Sequence, residues 1–263
     1  MTATTSQSNK SSKTEPRAAH RPGAFVWIEV RTPTPEKSAQ FFSEVVGWKI
    51  SHEQMGPGME YTLASTKNAP VAGVVKGERP ELIAYVSVDD VDAAAKRVAK
   101  AGGKVKGKAF DVPTVGRMVE VEDGDGAAFF LFKSENGDAA APPAPGALLW
   151  NELWAKDTKR SIAFLTSVLG YSVEAQEMNG MTYNVLKANN APVAGVMASP
   201  VKELPAHWLA YLHTDDVEAA RARAKKLGAT LEGDINDVPG VGRFAFLRAP
   251  DGCRFAVMTP AAT

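Results

Sequence analysis
The chain has 263 residues, 44% of them hydrophobic, so it is long enough for more than one domain and core size sets no limit on its fold. Thirty basic residues balance thirty acidic ones, which leaves no overall charge to draw in nucleic acid or an anionic membrane. The one cysteine, Cys253, excludes an internal disulfide and a Cys-rich metal framework.

In chain order, residues 1–22 begin MTATTSQSNKSSKTEPRAAH, rich in Ser, Thr and Lys, with no apolar run suited to a signal-peptide core or a membrane span. They read as a disordered tail on a cytoplasmic protein, either without a role or as a weak docking segment. The segment 23–133 then predicts a strand from Ala24 to Arg31, a turn at Pro33 and Pro35, and an amphipathic helix with Ala39, Phe42 and Val46 on one face, stopped at Gly47. Strands are expected near 59–65, 70–76 and 82–88. Asp90 is placed to cap a second helix carrying Val91, Ala94, Ala95 and Val98, which Gly102 and Gly103 terminate. Two further strands near 117–122 and 127–133 flank a tight turn at 123–126. The stretch SENGDAAAPPAP, 134–145, reads as a linker.

Residues 146–260 then repeat the same text. GAFVWIEVRTPTPEKSAQFFSEVVGW (23–48) matches GALLWNELWAKDTKRSIAFLTSVLGY (146–171), and NAPVAGVV (68–75) returns as NAPVAGVM (190–197). AYVSVDDVDAAAKRVAKAGG (84–103) matches AYLHTDDVEAARARAKKLGA (210–229), and DVPTVGR (111–117) matches DVPGVGR (237–243). The order is kept throughout, so the chain is two copies of one design. Each copy is itself two similar halves of strand, helix and several strands.

Four such units, with SIAFLTSVLGY after a first strand, DDVDAA opening a second helix and APDGCRFAV near the end, resemble the vicinal oxygen chelate superfamily of glyoxalases, bleomycin-resistance proteins and extradiol dioxygenases. Trp-x-Glu on the first strand, the PVAG strand and VP.VGR before the last hairpin are similar to bacterial tandem glyoxalase-like proteins of unassigned reaction. The resemblance implies an α+β chain of two tandem domains, 23–133 and 146–260. Each would be a curved mixed β-sheet cup built from paired βαβββ units, with helices outside and a ligand site in the hollow.

In metal-dependent members a divalent cation is held in the cup by His, Gln or Glu. Carried onto this chain, those positions fall on Trp27, Ile83 and Phe130 in copy one and on Trp150, Leu209 and Ala256 in copy two; the remaining position falls within the PVAGV strands. None of these side chains offers a lone pair to a hard cation. The expectation is therefore no cofactor, with a divalent metal held only if other side chains supply the ligands. The four histidines, His20, His52, His207 and His213, do not form an evident set.

Because strand side chains alternate faces, the cup of copy one is expected to present Trp27, Glu29, Arg31, Ile83, Tyr85, Phe130 and Phe132. That of copy two presents Trp150, Glu152, Trp154, Leu209, Tyr211, His213, Arg254, Ala256 and Met258. Glu29 and Glu152 are the candidate catalytic groups, as general bases or acceptors raised in pKa between aromatic rings; bracing by a neighbouring Arg or Tyr, or a solvent-facing register, are the alternatives. Trp27, Tyr85, Phe130, Trp150, Trp154, Tyr211, His213 and Arg254 are the candidate ligand contacts, with core packing the competing role of the large rings. Arg117 and Arg243 either grip an anion or pair with Asp111 and Asp237. The VAGV glycines serve sheet curvature or a close backbone approach.

These expectations point to a small organic ligand in aromatic-lined cups without the usual metal site. A glyoxalase-type lyase or isomerase is the alternative, and an assembly protein with filled cups a third reading. No nucleic-acid or membrane partner is expected, and the chain is either a monomer, as an internal pseudo-dimer, or a homodimer. Copy two carries more polar cup candidates, which favours it if one site works alone.

Overall fold
The computed structural model describes residues 18–56, 58–67, 69–138, 144–178, 180–201 and 203–262. Residues 1–17 of the expected tail and 139–143 of the expected linker lie outside the described residues. Copy one runs β1 (Phe25–Thr32), α1 (Pro35–Val46), β2 (Lys49–Gly56), β3 (Met59–Ser65), β4 (Pro70–Lys76), β5 (Glu81–Ser87), α2 (Val91–Lys100), β6 (Lys104–Val112), β7 (Gly116–Glu122) and β8 (Ala128–Ser134). Copy two runs β9 (Leu148–Ala155), α3 (Thr158–Leu169), β10 (Ser172–Met178), β11 (Met181–Ala188), β12 (Ala191–Ala198), β13 (His207–His213), α4 (Val217–Lys226), β14 (Thr230–Leu231), β15 (Asn236–Val238), β16 (Gly242–Arg248) and β17 (Arg254–Pro260).

Local chemistry accounts for the helix limits. Pro35 starts α1, and Gly47 ends it at φ 78° in the left-handed region, where a Cβ would be strained. Asp90 caps α2 by accepting from Ala93 N–H, as Asp157 and Asp216 cap α3 and α4. Each copy forms one mixed sheet, ordered β2-β3-β4-β1-β5-β8-β7-β6 in copy one and β10-β11-β12-β9-β13-β17-β16-β14 in copy two. The halves join where β1 and β9 pair antiparallel with β5 and β13. β2 and β6, which the sequence left unassigned, are the two edges of the first sheet.

The sheets curl so that one residue parity faces a concave cup and the other a convex, helix-covered side. The convex faces of the two copies pack on each other, so each helix buries one face at the seam and shows the other to solvent. One core joins Ile28, Val30, Phe42 and Val74 of copy one to Leu212, Ala220, Phe255 and Val257 of copy two. The second joins Val86, Val98, Phe129 and Leu131 to Leu153, Phe164, Leu165 and Leu186. Each core therefore combines the first half of one copy with the second half of the other.

Reciprocal polar contacts bind the same seam. Trp48 Nε1 donates to Gly146 O at 2.8 Å, and Tyr171 Oη donates to Gly23 O at 2.6 Å. Arg223 reaches Val45 O at the end of α1 (3.0 Å), while Arg97 reaches Val168 O at the end of α3 (2.9 Å). Such side chains satisfy carbonyls that a helix end leaves unpaired. Asp251, in the repeated Asp-Gly turn, accepts from Thr32 and Ser38 of the other copy, and Asp123 accepts from Ser161. The repeated serines thus clasp a turn acid of the other copy, from a different turn position in each. Among the described residues no helix is long and apolar enough to cross a membrane.

Candidate functional site
The hollow of copy one is a cavity of about 1130 Å³ whose walls include Trp27, Glu29, Arg31, Tyr61, Tyr85, Phe130 and Phe132. β1 supplies the alternate residues Trp27, Glu29 and Arg31, β5 supplies Tyr85, and β8 supplies Phe130 and Phe132. Tyr85 stacks on Phe130 with ring centroids 4.4 Å apart and meets Phe132 edge-on at 5.8 Å. Ile83 and Met118 complete this apolar cluster.

At the centre, Glu29 is 8% exposed. Trp27 Nε1 donates to Tyr61 Oη (3.1 Å), and Tyr61 donates in turn to Glu29 Oε1 (2.9 Å). Tyr85 also hydrogen-bonds this carboxyl, and Arg31 Nε lies 4.0 Å from its other oxygen. Burial pushes Glu29 above the usual carboxylate range, against the pull of the two phenols and of Arg31. Burial and the neighbouring carboxylate raise Tyr61 and Tyr85 as well, so both phenols stay protonated donors.

Copy two repeats the arrangement with altered walls. Trp150 Nε1 donates to Tyr183 Oη at 2.8 Å. Glu152 Oε1 accepts from Trp154 Nε1 (2.7 Å) and Tyr211 Oη (3.0 Å), and Tyr183 bonds the same carboxyl. Burial raises Glu152 too, here with no cation among the causes. Tyr211, Phe244, Phe246 and Trp154 form a ring cluster across this cup, with successive centroids 5.2–6.0 Å apart. Leu209, Ala256 and Met258 pack beneath it. Arg254 Nε sits 3.0 and 3.1 Å from the two oxygens of Glu232. His213 Nε2 lies 3.9 Å from Asp215. The cavity of about 1130 Å³ lies in copy one, while the polar groups that favoured copy two, Arg254 and His213, are engaged with or near acidic neighbours.

Tyr61 and Tyr183 are the site residues that sequence reasoning missed. The signal lay in the repeated glycine. Gly73 pairs with Glu29 on one side and Leu63 on the other, and a Cβ built on it would stand 1.8 Å from Tyr61 Oη. On Gly195, opposite Glu152, it would stand 1.9 Å from Tyr183 Oη. The glycine recurs because a phenol must cross its strand to reach the carboxyl, which is the close approach the VAGV stretches suggested. Both tyrosines precede their glycine by the same interval, and each follows a polar residue in EYTL or TYNVL.

The remaining candidates pair off outside the cups. Arg117 makes a two-point contact with Asp92 (2.9 and 3.0 Å) and reaches Asp111 at 2.7 Å. Arg243 pairs with Asp237 and Glu218. Cys253 is buried with a raised pKa, the condition of an unreactive thiol.

The residues present do not fit the family's metal site. Trp27, Ile83 and Phe130 face one cup, and Trp150, Leu209 and Ala256 the other, so an indole, an alkyl chain or a phenyl ring stands where lone pairs are needed. Among the described residues no group of three or more His, Cys, Asp or Glu is arranged to hold a metal ion.

With this geometry in place, the comparisons with known proteins are consistent with one another. The family model described as Glyoxalase/Bleomycin resistance protein/Dioxygenase superfamily matches residues 24–131 and again 147–257. CFP32, named as a candidate glyoxylase in Mycobacterium tuberculosis, is 34% identical over 93% of this chain and 98% of its own length. The anthracycline biosynthesis protein DnrV of Streptomyces peucetius is 30% identical over 90% of this chain and 93% of its own. The Mn(II)-bound glyoxalase from Novosphingobium aromaticivorans superposes with a TM-score of 0.67 at 16% identity, covering 91% of this chain and 82% of that one. At that identity the likeness speaks for the fold alone. Two copies of the cup, matched one after the other across most of the chain, make this protein a member of the glyoxalase/bleomycin resistance protein/dioxygenase superfamily.

Proposed function
We propose that the protein binds a small, ring-bearing organic molecule in the cup of copy one, without a metal at the family's usual position. The cavity of about 1130 Å³ carries this reading, because aromatic and aliphatic walls around a few convergent polar groups are the common make-up of small-molecule sites. Trp27, Tyr85 and Phe130 are the contacts for a planar ligand, and Glu29 with Tyr61 forms its hydrogen-bonding pole. In copy two, Trp150, Trp154, Tyr211, His213 and Arg254 are the corresponding contacts around Glu152. The role of the relative DnrV in making anthracyclines favours ring systems as ligands.

A lyase or isomerase reaction is the second reading, favoured by one observation: a buried carboxyl of raised pKa faces the cavity beside two phenols. Such a group can take a proton from a carbon acid and return it. Elemental analysis after dialysis against Ni, Zn, Fe and Mn, run beside Glu29→Gln and a titration of EDTA-treated protein with naphthol, tests the first reading. The metal-free protein is expected to bind one equivalent of naphthol. One equivalent of metal per cup, lost from copy one in the Gln variant, would overturn the metal-free binding reading.

A further inference from the structure
The two copies keep the Trp-Tyr-Glu arrangement but differ around it, and three of the differences exchange charged side chains for rings. Arg31, Glu81 and Glu120 of copy one correspond to Trp154, His207 and Phe246 of copy two. In copy one these positions form a charged cluster, with Arg31 Nη1 at 2.9 Å from Glu120 and 3.6 Å from Glu81. In copy two they form a ring cluster, with Trp154 5.2 Å from Phe246 and 5.3 Å from His207. The changes at Arg31 and Glu120 belong together, since their side chains are 18% and 22% exposed and either one alone would be a poorly solvated charge.

Two further features assign the charged version a role. Arg31 is only 18% exposed in its side chain, and its Cζ lies over the ring of Phe130 at 5.1 Å from the centroid. Phe130 holds one of the positions the family gives to a metal ligand. A guanidinium carries five N–H groups, yet among the described residues that of Arg31 makes one hydrogen bond, to Glu120. Arg31 itself lines the cavity, and Glu29, Glu81 and Glu120 stand around its guanidinium. Such a centre donates hydrogen bonds well and repels an anion.

We infer that Arg31 is the fixed donor cation of cup one, standing beside the position where metal-bearing relatives hold their ion, and that it selects neutral aromatic molecules carrying a hydroxyl or carbonyl oxygen over hydrocarbons and carboxylates. The inference rests on the small-molecule reading above and adds the ligand class. Glu120 and Glu81 orient the guanidinium, and the ligand oxygen accepts from its free N–H groups while the ring lies against Phe130 and Tyr85. Copy two, with Trp154 in place of Arg31, lacks this preference.

Calorimetric titration with three probes of one shape, naphthalene, naphthol and naphthoate, tests this on the full chain. The wild type is expected to bind naphthol roughly tenfold more tightly than naphthalene, as one added hydrogen bond to a charged donor allows, and naphthoate more weakly than naphthol. Arg31→Met alone strands Glu120, whereas Glu81, 39% exposed in its side chain, stays solvated, so the deciding variant is the double change Arg31→Met with Glu120→Met, checked for an unchanged circular dichroism spectrum. It should keep naphthalene binding and lose the naphthol preference. Survival of that preference in the double variant, or tightest binding of naphthoate by the wild type, would overturn the inference. Naphthalene and naphthol binding the wild type equally would overturn it while sparing the small-molecule reading. Failure of all three probes to bind would remove both.

Discussion
Glu152 isolates the electrostatics of a buried carboxyl more cleanly than Glu29, because its neighbours are phenol and indole donors and no cation contributes. Its pKa is raised in the folded chain, so between its ordinary value and the folded one the native state holds a proton that the unfolded state has released. Stability then falls as pH rises through that window, and the contribution is fullest below it. Glu152→Gln removes the titration while keeping an acceptor for Trp154 and Tyr211. Its unfolding free energy, from urea titrations at pH 5 and pH 8, is expected to gain on the wild type as pH rises. A variant offset that stays constant across that range would mean that Glu152 is ionised in the fold.

At the scale of elements, the β1–β4–β3 crossing sets the form of the first cup, and Gly73 is the point where it yields. Gly73→Ala drives a methyl into Tyr61 Oη, so the phenol must leave Glu29 or the strands must part. The expected cost is about 1–3 kcal/mol, as for overpacking in a core, together with a weakened Trp27–Tyr61–Glu29 chain visible as altered Trp27 fluorescence. An unchanged melt would show that the approach is looser than the strands place it. The same crossing explains what the sequence made legible. The ligand positions implied by the family resemblance, extended by the two-residue period of β1, β5 and β8, placed Trp27, Glu29, Arg31, Tyr85 and Phe130 on one concave face. The edge strands β2 and β6, KISHEQMG and KVKGKAFDV, bury little and carry no clean alternation, so they were not foreseen. Tyr61 was hidden for a related reason: its partner is a glycine, and an absent side chain states a contact without naming what fills the space. The meeting of Trp154, His207 and Phe246 in copy two was equally out of reach, since it joins strands distant in sequence.

For the whole molecule, the consequence of exchanged cores is that neither copy owns a complete hydrophobic interior. Cutting between the copies would expose the convex face of each sheet, including Phe42, Val45, Phe129 and Leu131 on one side and Phe164, Leu165, Phe255 and Val257 on the other. Each such side chain returned to water costs roughly 1.5–3 kcal/mol, and a handful exceeds the ~5–15 kcal/mol by which a protein of this kind is stable. Residues 18–138 expressed alone are therefore expected to be a homodimer, each convex face covered by a second copy, or to aggregate. The design suits the first outcome, since Trp48 could seek the carbonyl of Gly23 as it now seeks that of Gly146, and the serine and Asp-Gly turn of one chain could clasp those of another. Light scattering on the isolated copy decides the matter. A monomer that melts cooperatively near the temperature of the full chain would show that the shared cores are a contact between finished domains, whereas a dimer, or a stable complex on mixing the two separately made copies, would show that duplication joined in one chain an interface the fold requires.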